Sequence, residues 1–185
     1  MLMDVCRLTI LLLLIGVTTA AAQEPEKKPE SISTEPKLLV AELKTTDGKA
    51  VNISGEAVFT IDAANSDDTM SGKLSYAISN DNRQEIARVM NKPLREIPES
   101  VTVNDVTVGF VKKTSCPDLK VELFVTKIEI AGAKAHIYWL ELTFRETSQD
   151  LSRLLCHWAR SINVGRCSRP VSAVNRFLKG EKEER

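Results

Sequence analysis

The sequence predicts an α+β domain: an antiparallel β-sheet with a long central hairpin and helices packed on one face. Three observations carry that expectation. Leu119 to Ile130 and Ala135 to Phe144 are long runs rich in β-branched and aromatic residues, joined through Ala131-Gly132-Ala133-Lys134, as in a β-hairpin. Shorter β-rich runs precede them, and two stretches with helical spacing follow. Strands with one inserted helix, then a long hairpin and then helices is the order that an antiparallel sheet with helices packed on one face gives.

Taken in order, residues 1–22 read as a cleavable signal peptide. Arg7 precedes an apolar run from Leu8 to Val17, and Thr18-Thr19-Ala20-Ala21-Ala22 supplies the small residues of a cleavage site. The run is shorter than the roughly 20 residues that span a bilayer. The mature protein is therefore expected to be exported, periplasmic or secreted, and not integral to the membrane. A lipid anchor would need a cysteine at the cleavage point, whereas Cys6 lies ahead of the apolar run.

Residues 23–37 are rich in Pro, Glu, Lys and Ser, a composition that buries too little to repay ordering, and read as a flexible linker. Residues 38–180 form one domain, with 181–185 as an acidic tail. Leu38 to Lys44 favours a strand, Asp47-Gly48 a turn, and the stretches Ala50 to Ile53 and Ala57 to Ile61 are again β-rich. Ala63 to Gly72 reads as a polar loop. Leu74, Tyr76 and Ile78 alternate as in a half-buried strand.

Asp81 with Gln84 resembles a capping box, and Ile86, Val89 and Met90 follow at helical spacing before Pro93. Val101, Val103, Thr107 and Phe110 form another β-rich stretch, interrupted at Asn104-Asp105 by a turn or bulge. After the hairpin, Thr147 or Ser148 caps a helix whose Leu151, Leu154, Leu155, Trp158 and Ile162 share one apolar stripe, with Gly165 as its end. Val171, Val174, Phe177 and Leu178 suggest a last short helix with Pro170 near its first turn.

The chain has no net formal charge, yet Ser152 to Gly180 carries Arg153, Arg160, Arg166, Arg169, Arg176 and Lys179 without one acidic residue. Arg153, His157 and Arg160 fall at i, i+4 and i+7, so the first terminal helix turns a basic face to solvent. Such a surface favours anionic partners. For an exported protein these are an anionic cell-envelope component or an acidic protein surface; nucleic acid is excluded because no stacking platform or recognition motif is legible.

Removal of the leader leaves Cys116, Cys156 and Cys167, and an oxidising compartment implies at least one disulfide. A chain doubling back after Gly165 makes Cys156 to Cys167 the most economical pairing, which would staple the basic unit and leave Cys116 as a free thiol. Lys112 and Lys113 would then lower the pKa of Cys116 and make it reactive. The odd cysteine permits a covalent dimer.

No catalytic motif is present: there is no G-x-S-x-G elbow, phosphate-cradling loop or dinucleotide fingerprint. Cys156 and His157 are helix neighbours pointing about 100° apart and cannot act as a pair. His136 and His157 lack metal-ligand spacing, and Asp62, Asn65, Asp67 and Asp68 depart from a calcium loop, so no metal or cofactor is expected. Asn52-Ile53-Ser54 is a glycosylation acceptor only in a eukaryote. The resulting expectation is an exported, non-catalytic binding or accessory domain that meets an anionic partner through Arg153, His157, Arg160, Arg166, Arg169 and Arg176. The competing reading is a small secreted hydrolase whose catalytic residues are dispersed along the chain.

Overall fold

The computed structural model describes residues 32–114, 116–144, 149–163 and 168–180. Seven strands alternate buried and exposed side chains along most of their length, the period that gives a sheet one apolar face. They are β1 (Ile32–Ser33), β2 (Lys37–Lys44), β3 (Ala50–Ala64), β4 (Thr69–Ile78), β5 (Ser100–Phe110), β6 (Leu119–Ile130) and β7 (Ala133–Phe144). Every pairing is antiparallel.

Going round from β2, the order is β7, β6, β5, β4 and β3, and β3 pairs back onto β2, so six strands close a barrel. The sheet expected to lie open beneath a layer of helices is instead rolled on itself. One cause is the length of β3: its first half pairs with β2 and its second with β1 on one edge, while β4 lies along the other edge. Two close backbone approaches on the β3–β4 ladder allow the coiling. A Cβ at Gly72 would sit 2.0 Å from the Thr60 carbonyl oxygen, and one at Gly55 would sit 2.1 Å from that of Ala77.

Closure is thinnest between β2 and β7. Lys44 pairs with Lys134 at one end, and the Glu35 N–H donates to the Thr143 carbonyl at the other, 2.8 Å away. β1 continues the line of β2 and belongs to the wall, although the linker was expected to run to residue 37. Ile32 is buried, and Thr34 exchanges two hydrogen bonds with the backbone of Phe59. One apolar residue and a hydroxyl that satisfies a buried N–H suffice there, which a composition-based reading passes over.

The barrel is filled by its own side chains. Leu43, Ile53, Phe59, Met70, Leu74, Tyr76, Leu123 and Leu142 are all fully buried. Helices lie at the two ends of the barrel. At one end α1 (Asn80–Met90) buries Ile86 and Ala87, Arg83 donates twice to the Ile97 carbonyl, and the Lys92 ammonium reaches the Ala131 carbonyl in the β6–β7 turn. The cap of α1 is Ser79, whose hydroxyl accepts the Asn82 N–H, so the cap lies two residues before the expected Asp81.

At the opposite end lie α2 (Gln149–Asn163) and α3 (Ser168–Leu178). Leu151, Leu155 and Trp158 are buried, and Asn175 of α3 clamps the end of β3 by donating to the Ala64 carbonyl and accepting its N–H. The expected caps Thr147 and Ser148 and the terminator Gly165 lie outside the described residues, as do the expected signal peptide, residues 23–31 and residues 181–185. The polar loop expected over Ala63 to Gly72 shrinks to Asn65–Asp68 between two strands. The break at Asn104-Asp105 is a bulge in β5: Asp105 has φ 56°, and three steps of β5 face two of β4.

Candidate functional site

Two surfaces carry chemistry, one on α2 and one on the barrel wall. On α2 the apolar stripe fixes the rotation of the helix. Trp158 stands edge-on to Phe110, the last residue of β5, with centroids 5.1 Å apart. Arg153, His157 and Arg160 are therefore turned outward, and all three are exposed. Among the described residues none of the three forms an ion pair. Arg176 on α3 is exposed as well, while Arg166 lies outside the described residues and the side chain of Arg169 is not among those described.

The disulfide joins Cys116 to Cys156, with Cα atoms 6.0 Å apart. The expected bridge from Cys156 to Cys167 is thereby overturned, and Cys116 is not a free thiol, so thiol chemistry there falls away. The reason is the rolled sheet. It brings the β5–β6 loop to the end of the barrel where α2 lands, and the packing of Trp158 on Phe110 puts Cys156 beside that loop. The bridge staples helix to barrel and not helix to helix. Cys167 lies outside the described residues.

Within the acidic turn Asp67 is held locally, whereas the buried Oδ1 of Asp68 has no hydrogen-bond partner among the described residues. The Thr69 hydroxyl and N–H both donate to Asp67, holding its carboxyl below the usual range, and the Asn65 amide donates to the Thr69 hydroxyl. Among the described residues no three His, Cys, Asp or Glu side chains gather closely enough to hold a metal ion. Other perturbed groups are dispersed. Asp47, in the β2–β3 turn, is held down to about 2 by the Thr45 hydroxyl and by Lys49. Tyr76, inside the barrel, is pushed up to about 12 by burial. Asn52 is exposed on β3.

The second surface was not anticipated. Leu38 and Val40 on β2, Phe124 and Val125 on β6, and Tyr138 and Trp139 on β7 are between 46% and 71% exposed. Its origin lies in the alternation. In β6 the buried positions are Leu119, Val121 and Leu123, then Ile128 and Ile130; in β7 they are Ala133, Ala135 and Ile137, then Leu140, Leu142 and Phe144. Each strand changes phase once, and the changes lie opposite each other, because Leu123 pairs with Leu140 and Val125 with Tyr138. Register is kept, and two consecutive large side chains per strand face outward.

In β7 the change is made at Trp139, whose φ of 54° is one that side-chain-bearing residues seldom adopt. The Phe124 and Trp139 rings meet edge to face at 5.7 Å, and His136 stacks on Tyr138 at 5.8 Å. Phe124 also covers Gly109, where an added Cβ would lie 3.6 Å from its ring. The register shared by the two ends of the β2–β7 seam sets Val40 level with Tyr138, so the apolar residues form one band across three strands.

Charged residues flank the band on both sides. Toward the α2 end stand Lys37, Lys120, Glu122 and Glu141; toward the α1 end stand Lys127, Glu129, Lys134, Glu42 and Lys44. Lys120 pairs with Glu141 at 2.8 Å, which raises the lysine pKa, and Lys44 pairs with Glu42 at 3.3 Å. The signal for the band was in the sequence. Phe124-Val125 and Tyr138-Trp139 are adjacent bulky pairs in strands of period two, which cannot put both members inside.

No known protein family, no curated protein and no solved structure matches this chain. Among the described residues no helix is long and apolar enough to cross a membrane.

Proposed function

We propose that this chain is an exported, non-catalytic binding domain whose α2 face takes an anionic partner, either a cell-envelope component or an acidic protein surface. The observation that carries the reading is the row of Arg153, His157 and Arg160. It is exposed, it is uncompensated by any described carboxylate, and it sits on a helix fixed to the barrel by Trp158 and by the Cys116–Cys156 bridge. A disulfide agrees with an oxidising compartment and so with export. The hydrolase reading gains no support, because among the described residues the groups with perturbed protonation lie at separate turns, in the Glu85–Arg88 pair on α1, in one exposed strand pair and in the barrel interior, and do not converge.

The test is retention on dextran sulfate resin in a salt gradient. The chain is expected to bind at low ionic strength and elute as screening sets in, near about 0.1 M salt, where the Debye length is about 10 Å. Arg153→Gln combined with Arg160→Gln is expected to abolish retention with the fold intact. Unchanged retention of that variant sinks the proposal.

A further inference from the structure

We propose that the apolar band on β2, β6 and β7 is the interface between two copies of this chain, packed face to face about a two-fold axis. The inference is independent of the basic helix.

Area is the first argument. Three aromatic rings of about 150–250 Å² each, 46% to 71% exposed, together with Leu38, Val40 and Val125, leave on the order of 600 Å² of contiguous apolar surface. That lies at the upper end of what a monomer shows, roughly 300–600 Å². With the charged rim added, it approaches the roughly 800 Å² that each partner contributes to a stable complex. The layout matches interface anatomy, with an aromatic core lacking charge and a polar rim around it.

Charge is the second argument, and it selects the occupant. An isologous contact needs a surface complementary to itself. Here the rim carries five lysines against four glutamates, close to balance, where an anionic membrane or a polyanion would call for a large excess of positive charge. Lys120–Glu141, Lys134–Glu129 and Lys44–Glu42 are paired within the chain. Among the described residues Glu122 and Lys127 form no ion pair, and they flank Phe124 and Val125 symmetrically on β6. A two-fold axis lying in the interface and crossing the strands between Phe124 and Val125 sets Glu122 of one copy against Lys127 of the other, twice.

The experiment is sedimentation velocity of the purified chain in a Cys6→Ser, Cys167→Ser background, so that no disulfide between chains can imitate the contact. A concentration-dependent dimer is expected. Trp139→Ser is expected to give a monomer with an unchanged circular dichroism spectrum. Glu122→Lys and Lys127→Glu alone are each expected to weaken the dimer by about tenfold or more, and the double swap is expected to restore it. The rescue separates a folding defect from a lost contact. A monomer at about 100 μM overturns the proposal, as does a dimer that survives Trp139→Ser. A monomer that binds phosphatidylcholine vesicles through the band overturns it in favour of lipid, and failure of the double swap to rescue overturns the two-fold arrangement.

Discussion

On the β3–β4–β5 half of the barrel most outward side chains are small and polar or charged: Asn52, Glu56, Thr60, Lys73, Ser75, Thr102 and Thr107. They form cross-strand pairs, such as Ser33 with Thr60 at 2.7 Å and Lys73 with Asp62 at 3.7 Å. On the β6–β7–β2 half the corresponding positions hold an aromatic and aliphatic band. The inner faces of the two halves do not differ in this way; both present fully buried aliphatic and aromatic residues to one core. Folding therefore requires apolar side chains only inside, as the polar half demonstrates. The outer band answers to something other than the fold of one chain.

The comparison is tested most severely where the halves meet. Phe59 of β3 and Phe144 of β7 stand edge to face across the interior at 6.4 Å. Phe59→Ala is expected to cost about 3–5 kcal/mol, a large part of the roughly 5–15 kcal/mol of a whole domain. Urea denaturation measures it. A loss below about 1 kcal/mol would mean that the halves do not share a core.

Next comes the staple at the α2 end. Cys116→Ser with Cys156→Ser is expected to cost about 2–4 kcal/mol in a thermal melt. It should also free α2 before the barrel opens, because Trp158 would then hold the helix to β5 without the bridge. Dextran sulfate retention should fall with it, since the basic row depends on the rotation of α2. The polar wall of β3 to β5 should keep its amide protection in hydrogen exchange, which checks that the damage stays at one end.

A third expectation uses Tyr76. Burial raises its pKa to about 12 from 10.0, so the unfolded chain loses the phenol proton first. Stability is complete below pH 10 and falls as pH climbs toward 12, by on the order of 2–3 kcal/mol. Tyr76→Phe should remove that alkaline loss. At neutral pH it should cost less than about 1 kcal/mol, because the hydroxyl has only a long 3.4 Å bond to the Leu39 carbonyl. Urea midpoints at pH 7 and pH 11 decide the matter, and equal alkaline slopes in both proteins would refute it.

What the sequence disclosed and what it hid have a common physical basis. The hairpin of β6 and β7, the β2–β3 turn at Asp47-Gly48, the bulge at Asn104-Asp105 and the outward row on α2 are local patterns, set by period and turn chemistry within a dozen residues. Whether a sheet stays open or closes depends on β3 pairing with both β2 and β4, a relation between distant segments. The Cys116–Cys156 bridge followed the same logic: spacing favoured Cys167, and the closure of the barrel decided otherwise. The apolar band was local and legible, but reading the hairpin as a continuous β-rich run concealed its two phase changes.

The smallest expected effect sharpens the comparison most. Trp139 holds φ 54° in an exposed strand position. A left-handed backbone costs a side-chain-bearing residue about 1–2 kcal/mol, and glycine is relieved of it. Trp139→Gly also loses the edge-to-face contact with Phe124, worth about 0.5–1.5 kcal/mol, so the two changes nearly cancel. Compared at a concentration low enough that the parent is monomeric too, the melting midpoint should move by less than about 4 °C. Trp139→Ala loses the same ring without relieving the backbone, and should melt lower than the glycine variant by the strain alone. Both should be monomeric. A glycine variant destabilised as strongly as the alanine one would mean that Trp139 is held by the fold itself, and the band would then lose its separate explanation.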